Sequence, residues 1–183
     1  MKNNILAVIL MLFVICTHAN AGNVNFFLGQ KALDENEWAP VDEQGEFGVL
    51  VDFKQANWPV SMAIDFLVSV DETTDAGFNV EGITSEINFG VRKIWEVAGN
   101  PIRPYVGGGL ALINSEFTLT GFLPVTDDDS GLGIWLNGGV YWTLGQSFNI
   151  GLDLRYSQAD VTLFGVDVDA GGTHAGLILG YHW

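Results

Sequence analysis

The stretch His174-Ala175-Gly176-Leu177-Ile178-Leu179-Gly180-Tyr181-His182-Trp183 decides how this chain is read. Alternate positions divide it into two rows. Ala175, Leu177, Leu179, Tyr181 and Trp183 form an apolar row tipped with aromatics, and His174, Gly176, Ile178, Gly180 and His182 form the other. Period two is the signature of a β-strand. A strand's free edge presents unpaired N–H and C=O groups that must find a partner. The economical partner is the first apolar-alternating segment of the same chain, Val24 to Lys31, and that pairing would close a barrel.

Working outward, the same alternation recurs in seven earlier segments. One row comprises Val24, Phe26 and Leu28; then Phe47, Val49, Val51 and Phe53; then Val60, Met62, Ile64, Phe66 and Val68. It continues with Ile83, Ser85, Ile87, Phe89 and Val91; Val106, Gly108, Leu110 and Leu112; Ile134, Leu136, Gly138, Val140 and Trp142; and Phe148, Ile150, Leu152, Leu154 and Tyr156. No position in this row is charged. The opposite row carries Lys31, Glu46, Asp52, Lys54, Asp65, Glu86, Arg92, Asp153 and Arg155, together with most strand glycines. Segments of about ten alternating residues are the sequence pattern of a transmembrane β-barrel.

Alternation alone is shared with a soluble, lipocalin-like barrel, whose apolar row would line a cavity. Three features favour lipid on the apolar side. Glycine-rich inward rows suit the crowded interior of an eight-stranded barrel. Aromatics gather at segment ends, with Trp58, Trp95, Trp142, Phe148, Tyr181 and Trp183 expected at one rim and Trp38, Tyr156 and Phe164 at the other, as interfacial girdles require. Finally, short connections (55–59, 96–101, 144–147) alternate with long ones (33–45, 71–82, 114–131, 158–172), none with a helical period. The short ones are expected in the periplasm and the long ones outside.

The N-terminus supports export. Lys2 precedes an apolar run from Ile5 to Ile15 and the triplet Ala19-Asn20-Ala21. This pattern is that of a signal peptide, residues 1–21, with the barrel domain spanning 22–183. Cys16 is the sole cysteine and lies within that peptide, so a mature chain starting at Gly22 would have no disulfide or thiolate metal site. Phe13-Val14-Ile15 before it lacks the small residue of a lipoprotein site, and no later stretch is apolar for the eighteen residues of a helical span.

Three stretches resemble the small outer-membrane barrels related to the OmpA transmembrane domain, the OmpA/OmpX/OmpW-like proteins. Arg103-Pro104-Tyr105-Val106-Gly107-Gly108-Gly109-Leu110 is similar to that family's fifth strand, and Asn149 to Ser157 to its seventh. The segment from Gly176 resembles the C-terminal signal read by the barrel-assembly machinery, through Gly176, Leu179, Tyr181 and Trp183. The resemblance implies an all-β, eight-stranded antiparallel up-and-down barrel, inserted from the periplasm into the outer membrane. Trp183 stands where the family more often has phenylalanine. A cell-wall tethering role is not expected, because no peptidoglycan-binding domain follows the barrel segments.

Charge bounds the partners. Of 22 acidic residues, 16 fall in the four long connections, which contain no Lys or Arg. Nucleic acid and other polyanions would be repelled. The expected partners are outer-membrane lipid and lipopolysaccharide, the latter through divalent cations, with the protein a monomer; a cation-attracting mouth is the sharper alternative. Asp127-Asp128-Asp129-Ser130-Gly131 offers hard oxygen ligands for weak calcium binding but lacks the spacing and distal Glu of an EF-hand.

Inside the barrel, Glu46, Asp52, Asp65, Glu86 and Asp153 are expected to face Lys31, Lys54, Arg92 and Arg155. Buried charges must be paired, so a lumen ion-pair network built on Glu46, Asp52, Asp65, Glu86, Arg92, Asp153 and Arg155 would act as a plug or as a gate for small solutes. An enzyme is not expected. Ser157 and His174 could meet across the last two barrel strands near Asp160 or Asp169, in the manner of a lipid A-modifying hydrolase, but no oxyanion donor is identifiable. His174 and His182, eight residues apart on a strand, are separated by roughly 27 Å and cannot share a metal. Gly107-Gly108-Gly109 precedes no helix and is no phosphate loop. No cofactor is expected.

Overall fold

The computed structural model describes residues 21–96 and 98–183. The signal peptide expected at 1–21 therefore falls, apart from Ala21, outside the described residues. Eight strands close the barrel: β1 (Ala21–Ala32), β2 (Glu43–Lys54), β3 (Ser61–Asp75), β4 (Phe78–Ile94), β5 (Ile102–Thr120), β6 (Pro124–Leu144), β7 (Phe148–Gln158) and, after a small β8–β9 hairpin (Asp160–Leu163, Val166–Asp169), β10 (Gly172–His182). Each pairs antiparallel with its neighbour around the barrel, and β10 pairs with β1 in the register Phe26 to Leu179 and Lys31 to His174. Reciprocal backbone bonds of 3.1 Å between Gly22 and Trp183 extend this closure by one residue.

The apolar row faces out on every strand. Leu28, Phe47, Leu110, Leu136, Leu154 and Leu177 are all exposed, whereas the alternate row is buried. Such a surface would be untenable in water, so the belt is solvated by lipid. Glycines let the wall curve tightly. A Cβ on Gly109 would strike Phe89 O and Gly90 across the β4–β5 pair, and one on Gly107 would strike Asn137 and Trp135.

Three of the four long connections depart from the expected loops. β3 and β4 pair through to Asp75 and Phe78, and β5 and β6 pair through to Thr120 and Pro124. The fourth long connection holds the β8–β9 hairpin. At 19 and 21 residues, β5 and β6 are about twice the length needed to span a bilayer. The external ends of β3–β6 therefore stand beyond the lipid as a sheet. Their alternation is masked in the sequence because the polar residues take over the row that faces lipid lower down, while Val80, Phe117, Leu119 and Val125 continue the inward row, so the lipid-facing stripe stops short of them. Two-residue turns with both φ values positive end two of the hairpins, at Ala76-Gly77 (48° and 88°) and Phe164-Gly165 (52° and 79°).

The first long connection contains a single helical turn, α1 (Glu35–Trp38), capped by Asp34, whose side chain accepts from the Asn36 N–H. That turn swings Trp38 over the barrel mouth, where it is 1 % exposed and not in the outer aromatic girdle. Leu33, Ala159, Val161, Leu163 and Ala170 pack with it above Ile113 and Trp135, with Phe117 alongside. Phe164 is likewise not an interfacial residue, since it sits at the β8–β9 turn and meets Phe117 edge-on at 6.2 Å. Of the three aromatics expected at the outer rim, Tyr156 alone is an exposed side chain of a barrel strand.

Candidate functional site: the lumen and its cap

Because inward positions alternate, each barrel strand delivers every second side chain to the lumen. The seven residues of the expected network, Glu46, Asp52, Asp65, Glu86, Arg92, Asp153 and Arg155, are all buried there. They fall into two groups. At mid-lumen Asp65 Oδ2 accepts from Arg92 Nη2 at 2.7 Å and Arg155 Nη2 at 2.6 Å, while Arg92 Nη1 reaches Asp52 at 3.3 Å. Asp153 lies 3.6 Å from Arg155 Nε and accepts from Tyr105 and Asn137. Aromatic faces complete the shell: Arg92 lies over Tyr105 and Trp135, and Arg155 over Trp135 at 5.0 Å.

Nearer the outer mouth, Lys31 Nζ donates to Glu86 at 2.8 Å, Thr84 at 3.0 Å and the Ala170 carbonyl at 2.8 Å. The last bond ties the charge network to the cap. Ser157 and His174 do meet, Oγ to Nε2 at 2.9 Å, but the acid behind the imidazole is Glu46, whose two oxygens each lie 2.9 Å from Nδ1. Asp160 is instead exposed, and Asp169 accepts from the backbone N–H groups of Ala159 and Gly171. Ser157 also donates to Glu86 at 3.0 Å, and both Ser157 and His174 are fully buried. The geometry is that of a hydroxyl–imidazole–carboxylate relay sealed within the wall, with Glu46 brought in by the β1–β2 and β1–β10 pairings and not by sequence proximity.

Two features of the lumen escape the sequence pattern. Arg103, visible in the Arg103-Pro104-Tyr105 motif but not assigned inward, donates to Asn149 at 2.7 Å and Asn23 at 3.0 Å and lies over Tyr141. Lys54, expected inside, is half-buried at the periplasmic rim instead. Opposite the charges, Ile178, Phe27, Leu50 and Leu67 contribute one apolar side chain each from β10, β1, β2 and β3, against the stacked Tyr105–Tyr141 pair. These positions are discoverable as apolar exceptions on the polar row.

The two mouths differ. On the periplasmic side a vestibule of about 240 Å³, lined by Asn23, Lys54, Ser61, Glu96 and His182, ends on the buried Asp52. On the outer side Trp38 Nε1 donates to the Asp169 carbonyl at 2.8 Å, and Glu37 accepts from the Asp169 N–H, which clamps α1 to β9 over the lumen. The Asp127-Asp128-Asp129 run does not converge. It lies in β6, where Asp127 and Asp129 accept from the Phe164 and Thr162 N–H groups of the β8–β9 hairpin and Asp128 points to the other face. Among the described residues no three His, Cys, Asp or Glu side chains are grouped as a metal site.

Several solved structures superpose on this barrel at low sequence identity. Ail of Yersinia pestis, the attachment invasion locus protein, solved with the heparin analogue sucrose octasulfate, superposes with a TM-score of 0.63 at 12% identity, covering 89% of this chain and 98% of Ail. The chain has the fold of the small outer-membrane β-barrels. A major outer membrane protein of Thermus thermophilus matches with a TM-score of 0.58 at 12% identity over 90% of this chain and 98% of that one. The outer membrane protein OprG of Pseudomonas aeruginosa matches at 0.52 and 12% identity, covering 91% and 97%. No family model and no curated protein sequence matches the chain. OprG and the Thermus protein are outer membrane proteins, in keeping with a lipid solvent for this barrel's apolar belt.

Proposed function

We propose that the protein is a monomeric outer-membrane barrel with a structurally plugged lumen, and that its work is surface interaction through its external sheet and cap. One observation carries this reading: Arg92, Arg155 and Lys31 are all committed to lumenal carboxylates while Trp38 covers the outer mouth. Breaking such buried pairs to open a path costs several kcal/mol each. Planar-bilayer recording tests it. The purified barrel gives no steady conductance; discrete channels in the wild type would replace this reading with that of a narrow solute channel, for which the periplasmic vestibule is the supporting feature.

The partners follow from chemistry. Glu72, Glu81, Glu116 and Asp128 lie on the row that continues outward from the lipid-facing positions, at the level where divalent cations bridge carboxylates to lipopolysaccharide phosphates. Gly176, Leu179, Tyr181 and Trp183 act during insertion as the signal for the barrel-assembly machinery, after export directed by residues 1–21. The Ser157–His174–Glu46 relay serves stability and not catalysis, because a fully buried hydroxyl has no room for a substrate carbonyl. Unaltered lipid A in cells overproducing the protein is the expected outcome. The sulfated sugar bound to Ail is not carried over, since the external segments here hold no Lys or Arg to meet it.

A further inference from the structure

The external sheet has two faces of different character. On one, the outward rows of β3–β6 end in Glu72, Glu81, Glu116 and Asp128, with Glu72 directly opposite Glu81 and Glu116 directly opposite Asp128. Like charges set opposite each other repel and destabilise the sheet. The other face turns toward the cap and is apolar. Val80 pairs with Leu119, and Leu119 with Val125; Phe78 packs beside Gly121. Leu119, Val125 and Phe78 are exposed, and the hairpin tip adds Phe122, fully exposed, and Leu123, 72 % exposed. Beside it, tied to β6 by the Phe164 N–H bond to Asp127, the β8–β9 turn presents Phe164 and Val166, again exposed, with Phe117 partly buried beneath.

The result is an exposed apolar surface raised above the membrane, running from the β5–β6 tip to the turn of β8–β9. Asp75 and Asp167 stand exposed beside it. Exposed apolar patches of this kind mark interaction sites. The surrounding charge selects the occupant: the four external segments hold 16 carboxylates and no Lys or Arg. A second copy of the chain would bring the same carboxylates and be repelled. Sulfated sugars are repelled for the same reason, and anionic lipid is held through divalent cations at the outward carboxylates and not at this apolar surface. A segment with an apolar stripe and a basic face satisfies both features at once, its apolar side chains covering this surface while its cations meet the exposed carboxylates of Asp75 and Asp167 beside it.

We propose that this apolar surface is the docking site for a cationic amphipathic peptide segment of an external partner. The inference rests on the surface-interaction reading above and names the chemistry of the partner. The test uses the full barrel in zwitterionic nanodiscs and three fluorescent synthetic probes: a Lys/Leu amphipathic helix, a Glu/Leu helix of the same pattern, and a Lys/Ser peptide of equal charge. Anisotropy is read at low and high salt, with empty nanodiscs as the baseline. The Lys/Leu probe binds above that baseline, and its affinity falls at least tenfold at high salt, while both other probes bind at least tenfold more weakly. The variant Phe122→Ser/Leu123→Ser loses at least tenfold in Lys/Leu affinity, and Asp75→Asn/Asp167→Asn flattens the salt dependence; unboiled-gel mobility confirms that both variants are folded.

Equal binding of the Lys/Ser probe, binding unaffected by the tip variant, or signal no greater than that of empty nanodiscs would overturn the proposal. Tip-dependent self-association in sedimentation, or tip-dependent docking of the barrel onto phosphatidylcholine vesicles, would overturn it in favour of those occupants. The bilayer recording keeps the two readings apart. A silent barrel that ignores the Lys/Leu probe defeats this inference alone, whereas a conducting one defeats the plug.

Discussion

Carboxylates in the lumen and carboxylates on the external sheet obey opposite rules in this molecule. Inside, Asp65 is held between Arg92 and Arg155, and Glu86 between Lys31 and Ser157, so each negative charge has a donor within about 3 Å. Outside, Glu72 faces Glu81 and Glu116 faces Asp128, with no basic side chain on any external segment. The difference is one of solvent. In a lumen sealed by lipid on all sides an unpaired charge costs several kcal/mol, and the fold therefore supplies a partner for each. On the sheet, water screens the repulsion enough for the strands to persist, and the uncompensated charge remains available to a ligand.

Four substitutions would sharpen or break this contrast. Arg92→Ala, which strips Asp52 of its cation and half-empties the shell of Asp65, is expected to destabilise the barrel by about 3–5 kcal/mol, the range for removing one partner of a buried ion pair. Urea titration in liposomes measures it, and an unchanged midpoint would show that the lumen tolerates bare charge as the exterior does. Ser157→Ala removes the hydroxyl that donates to Glu86 and meets His174 Nε2, with an expected loss of roughly 1–3 kcal/mol for polar groups left short of a partner. The same titration reads it.

Outside, the sign reverses. Glu81→Gln removes one of the opposed pair Glu72–Glu81 and should stabilise the folded barrel by roughly 0.2–1 kcal/mol, an effect that shrinks as salt is added. A destabilised variant would mean that these carboxylates already have a structural partner.

The smallest effect concerns Asp129. Its carboxylate accepts the Thr162 N–H at 2.7 Å and is held below the usual aspartate range chiefly by that bond. Because the folded value is depressed, the contact's contribution is present above the ordinary aspartate pKa and is lost as pH falls through the lower folded value. The Thr162 amide resonance should therefore stay at its neutral-pH position at about pH 5 and shift only below about pH 4, whereas in Asp129→Asn that acid-induced shift disappears.

Much of this architecture could be read from residue order because the lipid-facing row is unambiguous. Ile64 and Phe66, and Leu152 and Leu154, flank charged inward residues that could not face lipid, so strand existence, register parity and the identity of the inward charges follow from period two. The external sheet was hidden for the converse reason. At Glu116-Phe117-Thr118-Leu119 the apolar residues have moved to the row that faces inward lower in β5, so the lipid-facing stripe ends and the strand reads as a loop. Trp38 lies elsewhere than expected because an aromatic near a strand end is consistent with a girdle or a lid. Only the one-turn helix α1 and its clamp on Asp169 distinguish them.

The terminal strand draws the line between the two sources of information. By itself the sequence determined that Leu177, Leu179 and Tyr181 face lipid and that His174 faces inward, because alternation is local and the lipid solvent is uniform. Which groups His174 would meet was decided only by tertiary structure. Barrel closure sets β10 beside β1 and β7 and carries Glu46 across from β2, so the partners of the imidazole come from positions 46, 86 and 157, distances in sequence that no local pattern encodes. Lumen chemistry depends on the stagger of all eight strands at once, and the same closure leaves the overlong β5 and β6 to build an external sheet, acidic on one face and apolar on the other.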